Sequence, residues 1–225
     1  MKVLKFGGSS VANSENIKKV LSIVEATSKN NKIAVVVSAF GKTTNNLLAA
    51  ADKALEDITA SKEILNDIKI LHFSVIDDLI VKNKKEVSEE ITNLFERLQS
   101  IYEGIFLLQE LSEKTLAKVS SFGERLSSFI IANAAKELFD ATHKESRELI
   151  ITNNNYLNGQ VNFKETNNKI VSFFEENKHQ VTVLGGFISS NINKETTTLG
   201  RGGSDFSASI YAAAIEAEEL LMYTD

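Results

Sequence analysis

Lys5 stands near the end of a short apolar stretch and is followed by Gly7, Gly8, Ser9 and Ser10. Glycines let backbone amides come close to an anion, and a helix starting just beyond adds partial positive charge. With the point charge of Lys5, such a turn suits a polyphosphate. The plainer reading is a strand–turn–helix corner with a solvated lysine. A second cluster is Gly41-Lys42-Thr43-Thr44. It resembles the end of a P-loop, but that motif requires glycine where Val36 stands. The loop still offers the hydroxyls of Ser38, Thr43 and Thr44 and the amide of Asn45 at a helix start. Simple N-capping by Thr44 or Asn45 would explain it too.

The richest segment is Thr196-Thr197-Thr198-Leu199-Gly200-Arg201-Gly202-Gly203-Ser204-Asp205. It is not a dinucleotide fingerprint, because Asp205 occupies the place of the last glycine. Arginine is scarce in this chain, occurring only at Arg97, Arg125, Arg147 and Arg201. A planar two-pronged donor set among glycines suits a carboxylate or phosphate; the alternative is a glycine-rich surface loop. A fourth segment, Gly123-Glu124-Arg125-Leu126-Ser127, lies inside a helical pattern. Glycine there costs about 1 kcal/mol relative to alanine, so a break or a helix start facing a ligand is one reading. A Glu–Arg pair on a solvated helix face is the other. His72, His143 and His179 share no motif and read as ordinary half-buried or surface histidines.

These loops need elements to hold them. Residues 2–6 and 32–40 read as strands, the second as a continuous apolar run suited to a parallel strand covered on both faces. Between them, Ile17, Val20, Leu21 and Val24 carry the spacing of a half-buried helix over 14–29, with Asn13 or Ser14 as its cap. A helix is expected over 45–58. Helices over 64–80, 87–108 and 112–139 make the 61–139 stretch a helical insert or lid. Residues 142–144 and 149–152 are weaker extended candidates. The asparagine-rich 152–168 segment reads as loop and 169–176 as helix. A strand over 181–184, a polar loop over 196–203, a helix over 204–216 and a strand over 219–223 complete the chain. Strands alternating with helices imply an α/β fold, a mostly parallel sheet with helices on both faces. Ligands in such folds bind beyond the carboxyl ends of the strands, where the glycine-bearing loops lie.

The chain has 225 residues, enough for one large domain or two small ones. It contains no cysteine, which excludes a disulfide framework, a cysteine-ligated zinc site and a thiol nucleophile. Proline is absent as well, so Gly, Asn, Asp and Ser must make every turn. The 25 basic and 30 acidic residues leave a net charge of −5, which disfavours non-specific binding to nucleic acid or an anionic membrane. No segment approaches the ~20 apolar residues of a membrane helix, and the first ten residues lack a signal-peptide core. A cytoplasmic protein is expected.

Taken in order, Lys-Phe-Gly-Gly-Ser-Ser-Val at 5–11, Ser-Ala-Phe-Gly-Lys-Thr-Thr-Asn at 38–45, Gly-Glu-Arg-Leu-Ser at 123–127, Gly-Phe-Ile at 186–188, the 196–205 segment and the final Thr224-Asp225 form a far more specific set than any one of them. Together they resemble the catalytic domain of aspartate kinases within the amino acid kinase family, over essentially the whole chain. Departures from that pattern are Ser9, Gly185 and Phe206, where many relatives carry Thr, Pro and Tyr. The resemblance implies a three-layer αβα sandwich and transfer of the γ-phosphoryl group of MgATP to the side-chain carboxylate of L-aspartate. ATP and Mg²⁺ are the implied cofactors, with Mg²⁺ held by ATP oxygens and water rather than by protein ligands. Lys5 and Asp205 become catalytic candidates. Lys5, Gly7, Gly8, Ser9, Gly202, Gly203, Thr224 and Asp225 become nucleotide- or phosphate-binding candidates. Thr44, Glu124, Arg201 and Ser204 become candidates for binding the acceptor. The resemblance also implies a catalytic domain over 1–225 that is incomplete at its C-terminal end, without the regulatory ACT region, and a homodimer of the full-length protein. Another small-molecule kinase of the same fold, or an inert nucleotide-binding fragment, stays open as an alternative.

Overall fold

A computed structural model describes residues 1–224, so Asp225 lies outside the described residues. Five strands form one parallel sheet: β1 (Lys2–Phe6), β2 (Ile33–Val37), β3 (Ala141–Lys144), β5 (Val181–Gly185) and β8 (Glu219–Tyr223), in the order β3-β5-β2-β1-β8. The remaining strands, β4 (Ile151–Thr152), β6 (Ile188–Asn191) and β7 (Thr196–Thr198), make a small second sheet in the order β4-β6-β7.

Side-chain alternation divides the main sheet between two cores. Leu4, Phe6, Val35, Val37 and Val183 belong to one, which also takes in residues of α1 (Ser14–Ser28), α2 (Thr43–Ala54), α3 (Ile58–Leu79), α4 (Lys84–Leu108) and α5 (Glu113–Lys136). Val3, Ala34, Val36 and Leu184 belong to the other, with residues of α6 (Phe163–Glu176) and α7 (Gly203–Ala214). A strand buried on both faces needs apolar residues at nearly every position, and Ile-Ala-Val-Val-Val of β2 supplies them. The three-layer αβα sandwich follows. Among the described residues no helix is long and apolar enough to cross a membrane.

The same period-2 rule explains Lys5. Leu4 and Phe6 point into the core under α1–α5, so Lys5, like Val3, points to the α7 side. The Asn13 side chain caps α1, accepting the Asn16 amide at 2.9 Å. Other expectations need correction. Helix α2 starts at Thr43, with Lys42 at its cap and no side-chain cap bond, so neither Thr44 nor Asn45 caps it. Helix α5 runs unbroken through Gly123. Residues Leu65, Ile68, Val75 and Ile91 of α3 and α4 share the core that covers the main sheet.

The polar 196–198 segment is strand β7, and β6 was not expected at all. Both are short and, Ile188 apart, built of Ser, Thr and Asn, without the apolar alternation that marks a half-buried strand. They are buried because their hydroxyls satisfy one another. Thr197 Oγ1 lies 2.7 Å from Thr152 Oγ1 and 2.9 Å from Ser189 Oγ. Helix α6 begins at Phe163, inside the asparagine-rich stretch read as loop. One of those asparagines, Asn162, is its cap, accepting the Glu165 amide at 3.2 Å.

Candidate active site

Lys5 of β1, the loops that leave the carboxyl ends of β2 and β5, and the loop between β7 and α7 meet at one corner of the molecule. A cavity of about 350 Å³ opens there, bounded by Lys5, Ser38, Thr44, Glu124, Phe187 and the 200–205 turn. Of the candidates named from sequence, Lys5, Thr44, Glu124, Arg201, Gly202, Gly203, Ser204 and Asp205 come together around it.

Lys5 is 5% exposed, and its ammonium lies 2.6 Å from Asp205 Oδ1 in the first turn of α7. The pair is asymmetric: the Asp205 side chain is 47% exposed and faces solvent. Helix α7 starts from Gly202, whose φ of 73° is a left-handed conformation that glycine adopts without a Cβ penalty. No side chain caps this helix. Among the described residues no carbonyl accepts from the Ser204 or Asp205 amide. Free first-turn amides next to a buried lysine are an arrangement that suits an anion. The start of α2 faces the same cavity through Thr44.

Glu124 is 4% exposed on α5. Its Oε1 accepts the Ala39 amide at 3.3 Å, while Oε2 is buried with no partner among the described residues. Burial pushes its carboxyl up to about 8, and the Ala39 amide offsets only part of that. Arg201 is the contrary case, exposed and without an ion pair or hydrogen bond among the described residues. The cavity thus holds an unpaired acid at its floor and an unpaired guanidinium at its rim.

Gly123 is what lets Glu124 sit there. A Cβ at this position would lie 2.7 Å from Thr44 Oγ1 and 2.8 Å from Ala39 Cβ. The helix therefore approaches the β2–α2 loop more closely than any side chain permits. Alanine is the better helix former by about 1 kcal/mol, yet Gly123→Ala should destabilise the fold by about 1–3 kcal/mol through this overlap. Thermal unfolding checks it; an unchanged or raised midpoint would sink this account of Gly123.

The remaining described candidates stand apart from the cavity. The Gly7 amide, expected to face phosphate, donates to the Tyr223 carbonyl at 2.9 Å and extends the β1–β8 ladder. A Cβ on Gly7 would still lie only 3.5 Å from Lys5 Nζ, so the turn borders the lysine. The Gly8 amide has no acceptor among the described residues. Ser9 lines a separate hollow beside Tyr223, and Thr224 is exposed at the end of β8. Asp225 is not described. Three residues that line the cavity, Ser38, Phe187 and Gly200, were not named as site candidates. Ser38 is the first residue past β2, and that position was the available signal. Phe187 carries a φ of 65°, held by the Ser207 hydroxyl on its amide at 2.8 Å and by the Leu199 amide on its carbonyl at 2.9 Å. Nothing in the sequence marks that conformation.

The model of the amino acid kinase family matches residues 1–225. A bifunctional aspartokinase/homoserine dehydrogenase of Buchnera aphidicola is 32% identical over all of this chain and 28% of its own length. The chloroplastic aspartokinase 1 of Arabidopsis thaliana is 32% identical over 99% of the chain and 40% of its own. Among solved structures, aspartokinase III of E. coli in complex with aspartate and ADP superposes with a TM-score of 0.90 at 28% identity, covering 100% of this chain and 49% of that one. The chain thus spans less than half the length of each of these three relatives. A parallel sheet with Lys5 at its carboxyl edge, two open helix starts and a whole-length family match agree: this chain belongs to the amino acid kinase family.

Proposed function

We propose that this chain is the catalytic part of an aspartate kinase, moving the γ-phosphoryl group of ATP to the side-chain carboxylate of L-aspartate. One observation carries the reading: the buried, unpartnered Oε2 of Glu124 shares its cavity with the cations Arg201 and Lys5. An acceptor with one ammonium and two carboxylates matches that set. Its ammonium meets Glu124, its α-carboxylate meets Arg201, and its side-chain carboxylate is left facing Lys5. The E. coli relative, solved in complex with aspartate and ADP, supports an aspartate acceptor and an adenine-nucleotide donor.

The chemistry needs no histidine base, because a carboxylate is already nucleophilic. Its oxygen attacks the γ-phosphorus while the bond to the β,γ-bridging oxygen breaks and ADP leaves. Catalysis then rests on alignment and on neutralising the charge spread over the transferred oxygens. Lys5 supplies that charge, oriented by Asp205, with the Ser204 and Asp205 amides beside it. Mg²⁺ bound to nucleotide oxygens and water supplies further charge neutralisation. Among the described residues no cluster of three acidic or histidine side chains stands ready to hold a metal directly. The product, aspartyl phosphate, is an acyl phosphate that opens the biosynthesis of lysine, threonine and methionine.

Hydroxylamine traps acyl phosphates as hydroxamates and tests the reading directly. Hydroxamate should form only when ATP and L-aspartate are both present. Formation with glutamate or carbamate instead would move the chain to another kinase of this family. In the same assay Arg201→Lys keeps the charge but loses the two-pronged geometry. The aspartate KM should rise about tenfold while the ATP KM stays put; a selective loss of ATP affinity would place Arg201 at the wrong ligand.

A further inference from the structure

Arg125 follows Glu124 on α5, yet the proposed chemistry leaves it without a role. It does not lie on a solvated helix face. Its side chain is 12% exposed, its guanidinium sits 4.4 Å from the centre of the Phe122 ring, and its Nε is 3.6 Å from Glu145 Oε2. Glu145 stands just past β3 and also meets Arg147, whose Nη2 donates to the same oxygen at 2.7 Å. Arg147 reaches onward: its Nη1 donates to Thr196 Oγ1 at 3.0 Å, and its carbonyl accepts from Ser190 Oγ at 2.6 Å. A single carboxylate therefore joins the helix that carries Glu124 to β6 and β7. Strand β7 leads directly into the turn that carries Arg201.

This cluster is poorly built for stability alone. Two guanidinium groups share one half-buried carboxylate and leave net positive charge beside it. The Nε of each arginine has no hydrogen-bond acceptor among the described residues. Burial and the neighbouring Arg147 pull Arg125 down to about 10. Buried ion clusters of this kind are often no more stable than apolar side chains of the same volume. What an apolar trio could not do is tie α5 and β7 to one shared charge, by an ion pair on the α5 side and by hydrogen bonds on the β7 side.

We infer that Glu145 is a positioning residue: by bridging Arg125 and Arg147 it sets the spacing between Glu124 and Arg201, the two groups that grip opposite ends of the acceptor. The inference rests on the proposed aspartate site. Lys5, which faces the phosphoryl group in the proposed site, stands on β1, outside the span of this brace.

The test uses the full chain with two variants, read by steady-state kinetics, L-aspartate calorimetry and thermal unfolding. Glu145→Gln should raise both the aspartate KM and its dissociation constant about tenfold, with the ATP KM within twofold of the parent. A triple variant, Arg125→Leu with Glu145→Met and Arg147→Met, removes the buried charges together and should restore the unfolding midpoint. Its aspartate KM should stay raised, which a merely structural role would not produce. An unchanged aspartate KM in Glu145→Gln would overturn the inference, as would recovery of KM together with stability in the triple variant. If the parent itself gives neither aspartate heat nor aspartate-dependent turnover, the aspartate site falls and this inference with it.

Discussion

Lys5→Met is expected to lower turnover by at least ~10²-fold, a loss of about 2.7 kcal/mol in transition-state stabilisation, while changing the ATP KM far less. The asymmetry follows from where the lysine is held. Strand alternation turns it away from the core under α1–α5, and Asp205 fixes its ammonium at 2.6 Å. A cation fixed in place meets charge that develops on the transferred oxygens without reorganising, which is where such a group acts most. Methionine keeps most of the length and packing of the lysine stem. The partner left behind, Asp205, has a side chain 47% exposed, so water can solvate its charge and the fold should survive. Thermal unfolding run alongside the kinetics separates lost chemistry from lost structure. Turnover within a few-fold of the parent would reduce Lys5 to a strand end that happens to carry a charge.

The lysine was legible from sequence because apolar neighbours and glycines define its strand end almost completely. The same is true of the α7 start, where three glycines, Arg201 and Ser204 crowd into a few residues. Legibility failed where burial is achieved by polar groups pairing with each other. Strands β6 and β7 hide Ser189 and Thr197 through mutual hydroxyl bonds, and no hydrophobic period announces them. It failed again where one residue serves two readings. Gly123 looked like a helix break, but it marks a close approach between continuous elements. Asn162 looked like loop and is a cap. Arg125 looked like one half of a pair with Glu124 on a solvated face. The two side chains in fact enter different surroundings, the cavity and the Glu145 cluster, because adjacent helical positions do not face each other. The positive φ of Phe187 depends on partners at Ser207 and Leu199, far too specific for a single sequence to reveal.

Glu124→Gln should weaken aspartate binding and strengthen the empty fold at the same time. Burial raises the Glu124 carboxyl from 4.5 to about 8 in the ligand-free protein. Between those values the folded chain holds a proton that the unfolded chain has released. Stability must therefore fall as pH rises through this window, by up to about 1.4 kcal/mol per pH unit, and level off above it. Below the ordinary carboxylate range the penalty vanishes, because both states are protonated. Glutamine removes the titration, so the variant should unfold at higher temperature than the parent at pH 9 and show no such advantage at pH 4. Its aspartate KM should nevertheless rise at least about tenfold, since an amide oxygen is a weaker partner for an ammonium than a carboxylate is. The parent carries a further signature. At pH 7 the empty site holds Glu124 largely protonated, and an arriving ammonium favours the carboxylate, so aspartate binding should release a proton. Calorimetry in buffers of different ionisation enthalpy would read that release as a buffer-dependent heat, which Glu124→Gln should abolish. A buffer-independent heat in the parent, together with a variant no more stable at pH 9, would mean that Glu124 is already ionised in the empty cavity. The acid at its floor would then have a partner that this geometry does not supply.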